Sequence, residues 1–301
     1  MRTLVTGGAG RLGRSVVKSL VEAGHDVVSV DRALAAELDA EQVTADLTDI
    51  AIARDVIERY SPDSIVQLAA IAVPFSAPEH QIMSTNVSLA YNVMQAAVDL
   101  GVHKVVAASS PTVVGYNAPG GWVPSRLPID ELEPAHPWNA YALSKFFVEG
   151  ITRMLALKTE DAVRFASFRP CYVIAPEEWA GALTQQGHTV ADRLNDPALA
   201  APALFNYLDA RDAGRFIIEL LAALDDIPNA QTFIVGAADA LARAPLSELL
   251  PRFHPETASL ASELTGTSPA FSIEKAKRLI GWQPAYSWRT ELSPLTSLES
   301  A

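Results

Sequence analysis

Apolar positions along the first 170 residues arrive in two alternating rhythms. Short runs, of which Thr3-Leu4-Val5-Thr6 is the first, read as strands, and longer stretches with apolar residues every three or four positions read as helices. The pattern predicts strands at 3–6, 25–30, 65–70, 104–110 and 163–168, and helices at 12–22, Ile50–Tyr60, 79–100 and 140–157. Gly24 and Gly101 end two of the helices, Asp46 and Asp49 flank the turn before the second, and Pro74 and Pro78 lie in the loop before the third. A loop rich in proline and glycine fills 111–137. Strands that alternate with helices at this spacing predict an α/β fold, a doubly wound parallel sheet with helices on both faces. Right-handed crossovers would then bring the C-terminal ends of the strands to one edge, where ligands bind.

After Arg169-Pro170 the rhythm loosens. Residues 174–206 hold prolines, glycines and only short helical patterns, whereas 209–224 is helical again and Gln231–Val235 reads as one more strand. Short helices follow at Leu246–Phe253 and 272–279. The expected organisation is a dinucleotide-binding Rossmann domain at 1–170, to which 207–236 returns. Residues 171–206 and 237–301 would form a small interleaved substrate-binding cap.

The chemistry begins in the first loop, where RTLVTGGAGRLG runs from a strand through glycines into a helix. That context fits the dinucleotide-binding fingerprint: Gly8 for the tight turn, Gly10 for close approach of a pyrophosphate and Gly13 for packing of helix on strand. The unpaired N–H groups of the helix start would face the phosphates, with Gly7, Arg11 and Leu12 in the same wall. Asp31 ends the second strand, where a carboxylate can accept from an adenosine ribose. It would repel a 2′-phosphate, which favours NAD; the neighbouring Arg32 could instead serve the phosphate of NADP.

Tyr141 and Lys145, four apart, share one helix face. An ammonium near the phenol would lower its pKa from about 10 toward working pH and make Tyr141 a general acid/base for alcohol–ketone interconversion. At the end of the fourth predicted strand, Ser109-Ser110-Pro111-Thr112 offers a hydroxyl for the reacting oxygen; the alternative is a turn satisfied locally by serine.

Together these residues resemble the extended short-chain dehydrogenase/reductase family, also called the NAD-dependent epimerase/dehydratase family. TGGAGRLG is similar to its TGxxGxxG, Asp31 holds its ribose position, and Asp46-Leu47 matches its adenine-side pair. Leu68-Ala69-Ala70 resembles the loop beneath the cofactor and Asn86-Val87 its Asn-Val segment. The run from Ala108 to Gly115 resembles Ser-Ser-x-x-Val-Tyr-Gly, and Tyr141 and Lys145 match Tyr-x-x-x-Lys. Arg169-Pro170, residues 209–212 and the late 277–284 (KRLIGWQP) match as well.

The resemblance implies that Ser110 and Tyr141 hold a substrate hydroxyl, that Tyr141 takes its proton, and that Lys145 binds the nicotinamide ribose. It implies NAD as cofactor and a homodimer built on the helices at 79–100 and 140–157. Sugar dehydration is disfavoured, because Ser110-Pro111-Thr112 lacks the acidic pair of the dehydratases. Val113-Val114-Gly115-Tyr116 places the aromatic after the glycine, similar to uronate dehydrogenases. Phe205-Asn206 stands where nucleotide-sugar members often have an arginine, with Arg193, Arg243 or Arg252 as substitutes. Thr112, Tyr116, Arg169 and Cys171 are the candidate substrate contacts.

Three functions remain open at this point. They are net oxidation of a sugar or sugar-acid carbinol, epimerisation on tightly bound NAD, and an inactive NAD(P)-binding regulator.

Composition sharpens the setting. The chain has 301 residues, 49% hydrophobic and 19% charged, enough for a sizeable core. No apolar run is long enough for a membrane helix, and the net charge of −12 argues against nucleic acid as partner. Cys171 is the single cysteine, which excludes an internal disulfide and fits a reducing cytoplasm. The six histidines lack metal-ligand spacing, so no metal site is expected.

Overall fold

The computed structural model describes residues 1–292, so the last part of the expected cap, 293–301, lies outside the described residues. The chain runs β1 (Arg2–Thr6), α1 (Arg11–Glu22), β2 (Asp26–Asp31), β3 (Glu41–Thr44), α2 (Ile50–Tyr60), β4 (Ser64–Gln67), α3 (Glu79–Asp99), β5 (Lys104–Ala108), α4 (Ala140–Lys158) and β6 (Arg164–Pro170). It continues through β7 (Val173–Ile174), α5 (Pro176–Trp179), α6 (Val190–Asn195), β8 (Leu208–Asp209), α7 (Ala210–Ala223) and β9 (Gln231–Val235). The tail holds α8 (Leu246–Phe253), α9 (Ala258–Ala261), α10 (Glu274–Ile280) and α11 (Trp288–Glu291).

Seven strands form one parallel sheet in the order β3-β2-β1-β4-β5-β6-β9. Leu4, Val5, Ile65, Val66, Val105 and Val106 are fully buried, as strands covered on both faces require. Helices α1 and α7 pack together, as do α3 and α4. Chain direction across the sheet reverses between β1 and β4, which opens a crevice at their C-terminal ends.

Two features differ from the sequence reading. Strand β3 was not expected: Glu41-Gln42-Val43-Thr44 is a half-exposed edge strand and carries no apolar run to announce it. The tail also does not lie wholly over the sheet edge. Trp282 is buried edge-to-face on Phe216 (5.5 Å), and its Nε1 donates to the Asp212 carbonyl at 3.2 Å. The Asp212 carboxylate in turn accepts from the backbone N–H groups of Ala285 and Tyr286, so this stretch docks on α7.

The outer edge of β9 is covered by side chains. Glu131 Oε1 accepts from Ile234 N at 2.8 Å, and Lys275 Nζ donates to the Thr232 carbonyl at 2.7 Å. These contacts occupy an edge that could otherwise pair with another chain. Above the sheet, Ile174, Trp179, Val190, Leu194, Tyr207, Leu241 and Trp288 make a small separate core. Among the described residues no helix is long and apolar enough to cross a membrane.

Candidate active site

A single cavity of about 930 Å³ runs from the Gly-rich loop, past the end of β5, to the irregular segments after β6. Its first end is shaped by backbone. Gly7 has φ +71°, and a Cβ there would stand 2.7 Å from Ala69 N; at Gly13 a Cβ would overlap the Gly7 carbonyl and stand 2.7 Å from Gly8 Cα. The left-handed turn residue is therefore Gly7, not Gly8, whose own lack of a side chain leaves room for Ser29. Helix α1 starts without a side-chain cap, which leaves its first N–H groups facing the cavity. A tight glycine cradle with uncapped N–H groups fits a pyrophosphate.

Asp31 sits in the same wall. Its Oδ2 accepts from Ala9 N at 3.1 Å and its Oδ1 from Arg32 N at 2.7 Å, so the strand end and the glycine loop are tied together. Arg32, Asp46, Leu47, Leu68, Ala69, Ala70, Arg11 and Leu12 also line this end. Asp46 accepts from both the N–H and the hydroxyl of Thr48, which hold its pKa below the usual carboxylate value. Arg11 forms an ion pair with buried Glu178 of α5. These groups fit the adenosine and phosphates of a dinucleotide.

Midway along the cavity stand Ser110, Tyr141 and Lys145. Ser110 Oγ accepts from Thr112 N at 3.2 Å and lies 2.9 Å from Thr112 Oγ1, which donates to it. The other serine, Ser109, is engaged elsewhere: it donates to Glu149 Oε1 at 2.7 Å and to the Lys145 carbonyl. This separates the two hydroxyls and leaves Ser110 for the cavity. Helix α4 starts at N-cap Asn139, whose side chain accepts from Ala142 N, and this fixes Tyr141 in the first turn.

The protonation state departs from the sequence expectation. Burial raises the Tyr141 pKa, and the hydrogen bond with Ser110 is what pulls it back. Lys145 Nζ donates to the Ala108 carbonyl at 3.0 Å and lies 5.9 Å from the phenol ring centroid, with its own pKa pushed down to about 8 by burial. In this structure the Tyr141 pKa therefore stands above its ordinary value, raised by burial and opposed by the Ser110 hydrogen bond.

Three of the candidate cofactor and substrate contacts do not line the cavity, nor do the substitute arginines Arg193, Arg243 and Arg252. Gly8 lies against Ser29. Asn86 instead holds the loop after β4, accepting from Ile71 N at 2.7 Å and donating to the Ile71 carbonyl and to Ser144. Arg169 is turned into the core, where Nε and Nη2 meet the Glu149 carboxylate at 2.8 and 3.0 Å. Of the other candidate substrate contacts, Thr112, Tyr116 and Cys171 do line the wall. Burial pushes the Tyr116 and Cys171 pKa values up, so Cys171 contributes shape rather than a thiolate. The substrate end is completed by residues without periodic signature: Phe75, Asn117, Trp138, Tyr172, Gln185, Gln186 and Asn206. Phe75 and Trp138 pair at 5.7 Å, and Trp138 Nε1 donates to the Tyr116 carbonyl.

Residues 3–236 match the NAD dependent epimerase/dehydratase family. The chain belongs to this family. It is thereby an NAD-dependent enzyme on a Rossmann fold. It is 24% identical to a UDP-glucose 4-epimerase of Corynebacterium glutamicum, across 95% of this chain and 92% of that one. A UDP-glucose 4-epimerase of Lactobacillus helveticus is 28% identical over 176 residues, 56% of this chain; the match spans about half of that relative, 51%. Among solved structures, a mutated uronate dehydrogenase shares the fold with a TM-score of 0.65 and 23% identity, covering 97% of this chain and 85% of that one.

Proposed function

We propose that this chain transfers hydride between NAD and a carbinol carbon of a sugar or sugar acid, with Ser110, Tyr141 and Lys145 as the acid/base set. The observation that carries the reading is the convergence of these three residues at the middle of one cavity, between a dinucleotide cradle and an aromatic, amide-lined mouth. Bound NAD supplies the hydride acceptor. Ser110, oriented by Thr112, holds the carbinol oxygen, and Tyr141 takes the hydroxyl proton. Lys145, held by the Ala108 carbonyl, is placed to donate to the ribose hydroxyls. Gly7, Gly10, Gly13 and the start of α1 hold the pyrophosphate, and Asp31 accepts from the adenosine ribose.

The test is a panel of sugars, uronates and nucleotide sugars assayed for NADH formation, with Tyr141→Phe as control. Net NADH formation lost in the variant supports the reading. Interconversion of epimers without net NADH supports the second reading, epimerisation, which the named activity of the relatives favours.

We also read the chain as a cytoplasmic homodimer. Phe147, Met154 and Tyr91 stay exposed on α3 and α4, an apolar face suited to a second copy. Cys171 is buried and free, as in a reducing compartment. Sedimentation at micromolar concentration checks the dimer, and a monomer rules it out.

A further inference from the structure

Two cations stand where a helix least favours them. Arg11 and Arg14 lie in the first turn of α1, which carries no acidic residue, at the positive end of the helix dipole. Both reach across to consecutive carboxylates of α5, beyond the sheet. Arg11 Nη1 donates to Glu178 Oε1, and Arg14 Nη2 donates to Glu177 Oε1 at 2.6 Å. The two pairs are unequal. The Glu177 and Arg14 side chains are 52% and 38% exposed, so solvent screens them. Glu178 is 2% exposed, its Oε2 accepts from Ala175 N at 2.6 Å, and Arg11 is its ion-pair partner. Arg193 acts on it from longer range. A buried carboxylate holds such a cation firmly, because losing it would leave the charge desolvated and alone.

Arg11 is at the same time part of the cavity wall, with Gly7, Gly10 and the uncapped start of α1. Among the described residues its remaining guanidinium N–H groups make no hydrogen bond. A planar fork fixed by one donor on a carboxylate has its other donors left for a second anion. At this end of the cavity that anion is the pyrophosphate of the cofactor. Helix α5 lies in the chain between Tyr172 and Gln186, which line the substrate end. The Arg11–Glu178 pair thus ties the cofactor cradle to the segment that shapes the substrate wall.

We propose that Glu178 is a positioning residue for the cofactor. It holds Arg11 across the pyrophosphate as a strap between α1 and α5, and release of the cofactor requires that strap to open. The exposed Arg14–Glu177 pair adds little to it. The inference rests on NAD dependence and on neither reading of the reaction at the carbinol.

The test reads release rather than turnover. Dissociation of NADH is followed by stopped-flow fluorescence with excess ADP-ribose as the trap, and adenosine affinity is measured by competition with NADH. Glu178→Gln keeps the size of the side chain and its acceptor for Ala175 N, and should release NADH about 3–10-fold faster. Arg11→Met/Glu178→Leu removes both charges together, so that no buried ion is left unpaired. It should release NADH about 10–100-fold faster, the range of a hydrogen bond to a charged group. Glu177→Gln should change the rate by less than about twofold. Adenosine lacks the pyrophosphate, so its affinity should be unchanged in all three.

The sign of the Glu178→Gln effect decides. If Glu178 merely neutralised Arg11, its removal would free a full positive charge for the pyrophosphate and slow release. Slower or unchanged release in that variant therefore overturns the proposal. So does a double variant that holds NADH as long as the wild type does, or a Glu177→Gln variant as fast as Glu178→Gln. Variants that weaken adenosine as much as NADH also overturn it, since a general loosening of the fold would give that result. No carbinol enters the measurement, so its outcome is separate from that of the oxidation reading.

Discussion

The two ends of the cavity are built by different means. At the cofactor end, contacts come from backbone and from strand termini: the Gly7 turn, the uncapped start of α1, and Asp31 closing β2. At the substrate end they come from side chains on turns and loops, namely Tyr172, Gln186, Asn117 and Asn206, steadied by buried polar groups such as Arg193. The first end can be conserved in shape while most side chains vary; the second changes whenever a loop residue does. One fold can thus keep one cofactor and serve many substrates.

The largest expected effect lies at the join between the two ends. Tyr141→Phe should lower kcat by about 10²–10⁴-fold and leave NAD affinity unchanged, measured by steady-state kinetics and nucleotide titration. Next comes the support beneath the join. Arg169→Met leaves the Glu149 carboxylate buried with its bidentate partner gone, and should cost about 3–5 kcal/mol in urea unfolding. A loss below about 1 kcal/mol would mean that Glu149 finds another partner.

Lys145→Met should do the opposite to stability while abolishing activity. It removes a buried ammonium whose pKa has fallen to about 8, and a gain of about 1–3 kcal/mol at neutral pH is expected. The sign follows from linkage. Between pH about 8 and about 10.4 the unfolded chain holds a proton on Lys145 that the folded chain has lost, so wild-type stability rises with pH across that window. The variant should lack this rise.

A smaller effect concerns the pH profile. Since burial holds the Tyr141 pKa up and Ser110 pulls it down, carbinol oxidation should climb with pH into the alkaline range. Ser110→Ala should move that climb to higher pH; an unshifted profile would mean that the rate reports another group. The smallest effect belongs to the cofactor wall: Asp31→Asn should weaken NAD binding by less than about tenfold and reduce discrimination against NADP, since one ribose hydrogen bond is altered.

The contrast between the two ends also decides what could be read without a structure. The glycine fingerprint, Asp31, and the Tyr141/Lys145 pair are local patterns, spaced by a turn, a strand or one helical turn, so sequence displays them directly. Strand β3 escaped because an edge strand half-covered by solvent needs no apolar run. Arg169, a candidate substrate contact by its match to the family's Arg-Pro, turns into the core because its carboxylate partner Glu149 lies on another element, which sequence spacing does not display. Likewise the choice between Ser109 and Ser110 became physical only when Glu149 was seen to take the first. Gln186 carried no signal in the sequence: its place in the cavity wall comes with a hydrogen bond from Arg193, seven residues on.

The most direct test of the central claim is the stoichiometry of the reaction. Carbinol consumed and NADH formed are followed together in the wild-type chain and in Tyr141→Phe, with NAD binding verified in both. One NADH for each carbinol oxidised, and almost none in the variant, is the predicted result. Epimer accumulating without NADH, or a variant as fast as wild type, would contradict it.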